Sequence, residues 1–302
     1  LKTSDIRARI YFRKKRRAMR GHRTAHQMAV RYALYCMILC FFLVVNIHIL
    51  TARSRYSRLN EGILSSEGYR RQRMDSEMLE HIRMSEDPGR DLGLYWLENH
   101  FGQEAFGYPC SAETFSRLEK IWSDKQGWEL YRDACGAVWN DLRYFPIPVP
   151  SNGVQAEVTY EDSWMFERNY GGKRGHEGTD IMASTNERGL YPVVSMTDGV
   201  IQHKGWLEKG GYRLGITAPG GAYFYYAHLD SYADIEEGDS VKAGDLLGFM
   251  GDTGYSKVEG TTGNFPVHLH LGIYLVTGNQ EISVNPYYPL RYVEDRRVKC
   301  AY

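Results

Sequence analysis

The 302-residue chain has only five cysteines, and their placement removes one common way of holding a metal. Cys36 and Cys40 fall inside an apolar run. Cys110, Cys135 and Cys300 form an odd set that cannot all pair within one chain, and no two of them have the close spacing of a zinc knuckle. A Cys110–Cys135 bridge and a buried free thiol both remain open. The chain also lacks net charge, with 37 basic and 37 acidic residues, but that balance hides an asymmetry. Residues 1–31 hold eleven lysines and arginines against the single Asp5, so the remainder is acidic by ten charges. Missing as well is a small-x-small cleavage pattern after the apolar run, whose exit reads TARSRYSR.

That run, YALYCMILCFFLVVNIHIL at residues 32–50, carries no formal charge apart from a protonatable His48. At about 1.5 Å per residue it comes close to spanning a hydrocarbon core of about 30 Å, longer than the apolar core of a signal peptide. It predicts one membrane-spanning helix over residues 32–51, with a basic cytoplasmic arm at 1–31 and everything after Thr51 outside. Arg53, Arg55 and Arg58 oppose this orientation but are fewer than the basic residues of the arm. The arm lies where it sets topology and meets anionic lipid, so the expected partner is membrane lipid and no nucleic acid.

With 43% hydrophobic and 25% charged residues, the rest of the chain has the composition of a folded protein. Residues 55–87 are polar and helix-compatible, and the recurrence of Met74, Met78 and Ile82 every fourth position suggests a stalk, a weak self-association helix or, more simply, a partly solvated helix. DPGRD at 87–91 breaks it. Residues 92–145 predict further helix with one apolar face made by Trp128, Tyr131, Cys135, Val138, Trp139 and Leu142. The proline-rich FPIPVPSNG at 145–153 cannot continue a helix and marks a boundary between a helical accessory region, 52–150, and a second domain, 151–302. There the pattern changes to short runs, YPVVSM, GVIQHKG, YRLGITA, AYFYYAHL, DLLGFMG and HLHLGIYL, separated by turn residues. They predict a mainly β domain, an antiparallel sandwich or open barrel.

The chemistry lies in that β domain. In VHLHLGIYL, residues 267–275, strand alternation puts His268, His270, Gly272 and Tyr274 on one face and the leucines and Ile273 on the core face. One histidine can bind a metal while the other stands beside it. His228 lies near the end of another strand run, and GHEGTDIMA, residues 175–183, sets His176 four positions before Asp180. The other six histidines, His22, His26, His48, His81, His100 and His203, belong to no ligand-like cluster. Glu177 does not make an H-E-x-x-H site, because Gly178 and Thr179 disfavour helix and Asp180 stands where the second histidine belongs, so it reads as a solvated turn residue. Lys242 in IEEGDSVKAGDLLG reads as part of a β-hairpin turn and not as a lipoyl or biotinyl attachment site.

HEGTD, YAHL and HLH, in this order, together with the flanking PVVSMTDGVI, GDSVKAGDLLGFMGDTG and VNPYYPL, resemble the lysostaphin/LytM-type zinc metalloendopeptidases over about residues 153–290. The resemblance implies a duplicated hybrid-motif-like β fold and one Zn²⁺ held by His176, Asp180 and His270, with His228 and His268 as the catalytic pair. It also implies peptidoglycan peptides as substrate. Three protein ligands leave a fourth position for water, which zinc can acidify to a pKa of about 7. The same family implies an alternative, a catalytically quiet scaffold or activator in a cell-envelope or sporulation complex. Residues 52–150 would then be the surface for an envelope protein partner.

Overall fold

The structure, a computed structural model, describes residues 3–278 and 280–302. The chain divides into two units, the first ending at Ser57 and the second running from Arg58 to Tyr302. The first is a single helix, α1 (Thr3–Tyr56). Its apolar stretch, including Tyr35, Phe41, Val44 and Leu50, is exposed along its length, and the helix is long and apolar enough to cross a membrane.

The second unit begins with short helices, α2 (Glu67–Arg70), α3 (Ser76–Met84), α4 (Pro88–Glu98), α5 (Ala112–Trp122) and α6 (Trp128–Trp139). The sequence caps four of them, because Ser66, Asp75, Asp87 and Ser111 each accept from an otherwise orphaned amide in the first turn. DPGRD therefore starts a helix as well as ending one, with Asp87 as cap and Pro88 in the first turn, where its missing N–H costs nothing. The aromatic stripe of α6 is buried against α4, with Trp96, Trp128 and Trp139 at 1% exposure or less. The two helices approach so closely that a Cβ on Gly89 would stand 2.6 Å from the Gly136 backbone. Met74, Met78 and Ile82 are buried too, so that stripe is core and not a solvated face.

The proline-rich segment is extended, as its prolines require, but it is also pinned. Its strand β1 (Val149–Pro150) pairs in parallel with β14 (Lys299–Cys300) near the chain's end, and Phe145 and Ile147 are buried. Between them run β2 (Val158–Thr159), the hairpin β3 (Glu167–Arg168) and β4 (Arg174–Gly175), β5 (Thr179–Ala183), β6 (Pro192–Val194), β7 (Gly199–Leu207), β8 (Gly211–Thr217) and β9 (Tyr223–Tyr232). These are followed by β10 (Ser240–Val241), β11 (Leu246–Met250), β12 (His268–Thr277), β13 (Gln280–Val284) and the helix α7 (Tyr287–Val293). All six apolar runs singled out in the sequence are strands. The main sheet is antiparallel and runs β10-β7-β8-β9-β12-β5-β2, with β11 joining β6 to β9 and β13 added to β12. Its edge strands β10 and β2 do not meet, so it is not a closed barrel.

The helical region and the sheet share one compact unit. Arg70 reaches from α2 to the Ser283 carbonyl at 3.0 Å and its hydroxyl at 2.8 Å, and the Arg70 carbonyl accepts from the Asn285 amide at 2.7 Å. Trp139 donates to Gln72 and packs edge-on against Tyr292 of α7. No disulfide forms among the five cysteines, and Cys135 is a fully buried thiol.

Candidate active site

Strand β12 alternates as its sequence predicts: Leu269, Leu271, Ile273 and Leu275 are buried in the core, while His268 and His270 face a cleft of about 640 Å³. Asp180 of β5 is the direct cross-strand partner of His270, which brings its Oδ1 to 2.9 Å from His270 Nδ1. His176 arrives from the turn before β5, fixed by backbone hydrogen bonds to Met165 and Phe166. Its Nε2 lies 3.0 Å from His270 Nδ1 and 3.1 Å from Asp180 Oδ1. The glycine inside HEGTD is required sterically, since a Cβ on Gly178 would fall 2.4 Å from the His270 ring.

The outward atoms of these side chains are also held. The Nδ1 of His176 lies among the Ser163 hydroxyl at 3.0 Å, Arg168 Nη2 at 3.1 Å and the Ser163 carbonyl at 3.2 Å, which hold the ring with Nε2 turned inward. Arg168 donates to Asp180 Oδ2, leaving Oδ1 for the interior. Burial acts to raise the Asp180 carboxyl, but hydrogen bonds from His176 and His270 and the surrounding positive charge outweigh it and hold the group well below the usual carboxylate range. His270 is pushed down by burial, against the opposing pull of Asp180. Three atoms able to ligate a metal, His176 Nε2, Asp180 Oδ1 and His270 Nδ1, thus converge at mutual distances of 2.9–3.1 Å, and metal binding would displace the protons they share. A tetrahedral zinc with bonds of about 2.0–2.1 Å needs ligand edges of about 3.3 Å. The donor set and its burial fit such an ion.

His228 and His268 stand beside this triangle, their rings 4.8 Å apart. His228 occupies a left-handed backbone conformation, φ 64°, at an irregularity of β9. Bulges of this kind re-aim a side chain next to a site. Each ring has its Nδ1 2.7 Å from a backbone carbonyl, Thr253 for His228 and Pro266 for His268, so each N–H donates there and each Nε2 is turned away from the backbone. Burial, then the neighbouring His268 and His270, push His228 well below the ordinary histidine value. It is neutral at pH 7.

The cleft floor is paved with Tyr223, Tyr225 and Tyr274. Gly215 and Gly272 make room for them, since a Cβ at either would fall within 3 Å of a tyrosine ring. At the rim, Tyr170 and Tyr255 stack with centroids 4.5 Å apart. The sequence-derived set of His176, Asp180, His228, His268 and His270 is therefore gathered in one cleft. Arg168, Arg174 and Arg213 also line it and were not foreseen. A periodic pattern gives no hint of Arg213, although Arg174 stands only two residues before His176. Glu177 is exposed as expected for a turn but is not free, because Arg70 holds it at 2.7 Å. His203 lines the cleft without touching the cluster, and His81 is bound 2.8 Å from Asp91 in the helical region. Lys242 lies in a turn, 3.0 Å from Asp198.

Comparison with known proteins adds two family matches, residues 54–141 to the N-terminal domain of LytM and residues 174–286 to peptidase family M23. The L-Ala–D-Glu endopeptidase of Bacillus subtilis is 42% identical over 152 residues, which cover 50% of this chain and 44% of that protein. The glycyl-glycine endopeptidase ALE-1 of Staphylococcus capitis is 32% identical over 113 residues, covering 33% of this chain and 30% of that protein. The chain thus spans less than half the length of these curated relatives. A crystal structure of a provisionally named glycyl-glycine endopeptidase LytM from Ruminococcus gnavus superimposes with a TM-score of 0.78 at 58% identity, covering 82% of this chain and 98% of that one.

Proposed function

This chain belongs to peptidase family M23, a family of peptidoglycan endopeptidases, in its LytM type, and from that premise we propose that it is a membrane-anchored zinc endopeptidase cleaving peptide bonds of peptidoglycan. The observation that carries this reading is the triangle of donor atoms from His176, Asp180 and His270, which fits a zinc ion and opens on a cleft. Zinc held there by His176, Asp180 and His270 would supply Lewis acidity, making water a usable nucleophile near neutral pH.

The chain's own groups supply the rest. His268, its Nδ1–H anchored on Pro266, presents Nε2 to take a proton from the attacking water and return it to the leaving amine. His228, kept neutral by its surroundings, accepts a hydrogen bond from that water through Nε2 and so orients it. Once one of the pair is protonated, its charge faces the negative charge building on the carbonyl oxygen. Arg168 keeps Asp180 Oδ1 directed inward. The relatives' names offer two bond types, alanyl–D-glutamyl and glycyl–glycine, and both lie within peptidoglycan peptides.

In this reading residues 32–51 are the membrane anchor, 1–31 the cytoplasmic arm, 52–150 an accessory region and 151–302 the peptidase domain outside the membrane. The full chain, zinc-loaded in detergent, should release peptide fragments from peptidoglycan, identified by mass spectrometry. Release should stop on metal removal and in His268→Ala. A folded, zinc-loaded chain that cleaves no peptidoglycan would sink the enzymatic reading in favour of a scaffold.

A further inference from the structure

The cleft contains more positive charge than the zinc cluster uses. Arg174 Nε and Arg213 Nη1 are both shielded from solvent and have no hydrogen-bond partner among the described residues. Neither arginine has an ion pair there, whereas the carboxylates on the same walls are mostly engaged, Asp180 by Arg168 and Glu177 by Arg70. Glu281, exposed on β13, reaches neither arginine. A guanidinium nitrogen hidden from water without an acceptor is costly, and such groups are normally matched by a ligand or an ordered solvent molecule.

The two arginines come from different sheets, Arg174 from β4 of the two-stranded β3–β4 hairpin and Arg213 from β8 of the main sheet. Both line the same cleft as Tyr225. The Tyr225 ring in turn lies edge-on to His270, 6.1 Å between centroids. The unpaired charge thus lies on the walls of the cleft onto which His176, Asp180 and His270 open. An arginine offers a planar fork of donors that fits a carboxylate with two parallel hydrogen bonds.

We propose that Arg213 and Arg174 form a carboxylate-receiving subsite, so that the substrate is an acidic peptide with a free carboxylate next to the bond that is cut. This rests on the endopeptidase reading and narrows it: a glycine bridge, which has no such group, is a poor substrate. The carboxylate is either an internal one flanking the scissile bond or the C-terminus of a short peptide.

The test uses the full chain in detergent, zinc-loaded for turnover and metal-free for binding. The probes are a peptide with the alanyl–D-glutamyl bond and both carboxylates free, the same peptide with the internal carboxylate as carboxamide, the same with only the C-terminus amidated, and pentaglycine. The peptide with free carboxylates is expected to exceed the matching carboxamide at least about tenfold in both kcat/KM and affinity. Whichever amidation removes the preference identifies which carboxylate is read. Arg213→Gln and Arg174→Gln, made separately and checked for an unchanged thermal melt, should each bring that ratio towards one. Equal affinity for all carboxylate and carboxamide forms would overturn the proposal, as would a preference that survives in both variants or pentaglycine cleaved best. Retained carboxylate preference in binding with no turnover would uphold the subsite and count against the endopeptidase reading instead.

Discussion

His270 and Asp180 face each other across β12 and β5, and their side chains meet at 2.9 Å. Directly opposed residues of an antiparallel pair have Cβ atoms about 4.5–5.5 Å apart, so the sheet's register alone brings two of the three donor atoms together. A slip of one residue in β12 would turn both histidines into the core and the leucines into the cleft, at a prohibitive cost in buried polar groups. The burial of Leu269 and Leu271 thus fixes the metal site's geometry.

Metal should stabilise the fold as well as supply chemistry, because the donors converge only in the folded chain. At free zinc about 1,000 times the dissociation constant, the gain is about 4 kcal/mol. Full chain stripped of metal should melt lower than the zinc-loaded chain, and Asp180→Ala should abolish both the bound zinc and the difference between the melts. Differential scanning fluorimetry with metal analysis of the same samples checks both.

Gly178→Ala is expected to damage the site without removing a donor. Its methyl would have to fit where the His270 ring is 2.4 Å away and the Leu271 carbonyl 2.7 Å away. The ring would yield, losing its alignment with Asp180 and His176, and overpacking of this kind costs about 1–3 kcal/mol. Chelator competition should show zinc affinity lowered by tenfold or more; an unchanged affinity would mean that the turn relaxes freely.

Much of this site was legible because its signals are local. A period of two in VHLHLGIYL puts two histidines on one face whatever the rest of the chain does, and HEGTD carries its glycine with it. What the sequence hid is non-local. Arg174, on the separate β3–β4 hairpin, and Arg213, on β8 of the main sheet, reach one cleft only through the tertiary fold. Glu177 is anchored by Arg70, a partner 107 residues away. Met74, Met78 and Ile82 looked solvated because what buries them is tertiary: α3 packs on α4 and α7, and Met78 meets Cys110, 32 residues away.

Arg70 ties the helical region to the strand beside the site, and its contacts are unequal. Its bonds to the Ser283 carbonyl and hydroxyl are part-buried, whereas its partner Glu177 is 47% exposed. An exposed ion pair is worth about 0–1 kcal/mol, while lost hydrogen bonds from a charged, part-buried donor cost about 1.5–3 kcal/mol. Arg70→Met should therefore destabilise the folded unit distinctly more than Glu177→Gln. Urea unfolding followed by tryptophan fluorescence reads the difference, since all six tryptophans lie between residues 96 and 206. Equal effects of the two substitutions would assign the stability to the exposed pair instead.

Alkali should unfold the helical region through its buried acids. Burial raises the Cys135 thiol and the Tyr69 and Tyr131 phenols above their ordinary values, and pushes Cys110 up to about 12. A group whose folded pKa is raised contributes its full stability below the unfolded value, here about 8.5 for a thiol, and loses it as pH rises towards the folded value. Between about pH 8.5 and 10 the unfolded thiols release protons that the folded chain retains, so stability should fall by up to about 1.4 kcal/mol per pH unit for the fully buried Cys135. The unfolded tyrosines join above about pH 10. Urea midpoints from pH 7 to 10.5 should be flat and then decline. Cys135→Ala, which has no proton to lose there, should start less stable at pH 7 yet decline less steeply from pH 8.5 to 10. An identical slope in the variant would remove Cys135 as the source.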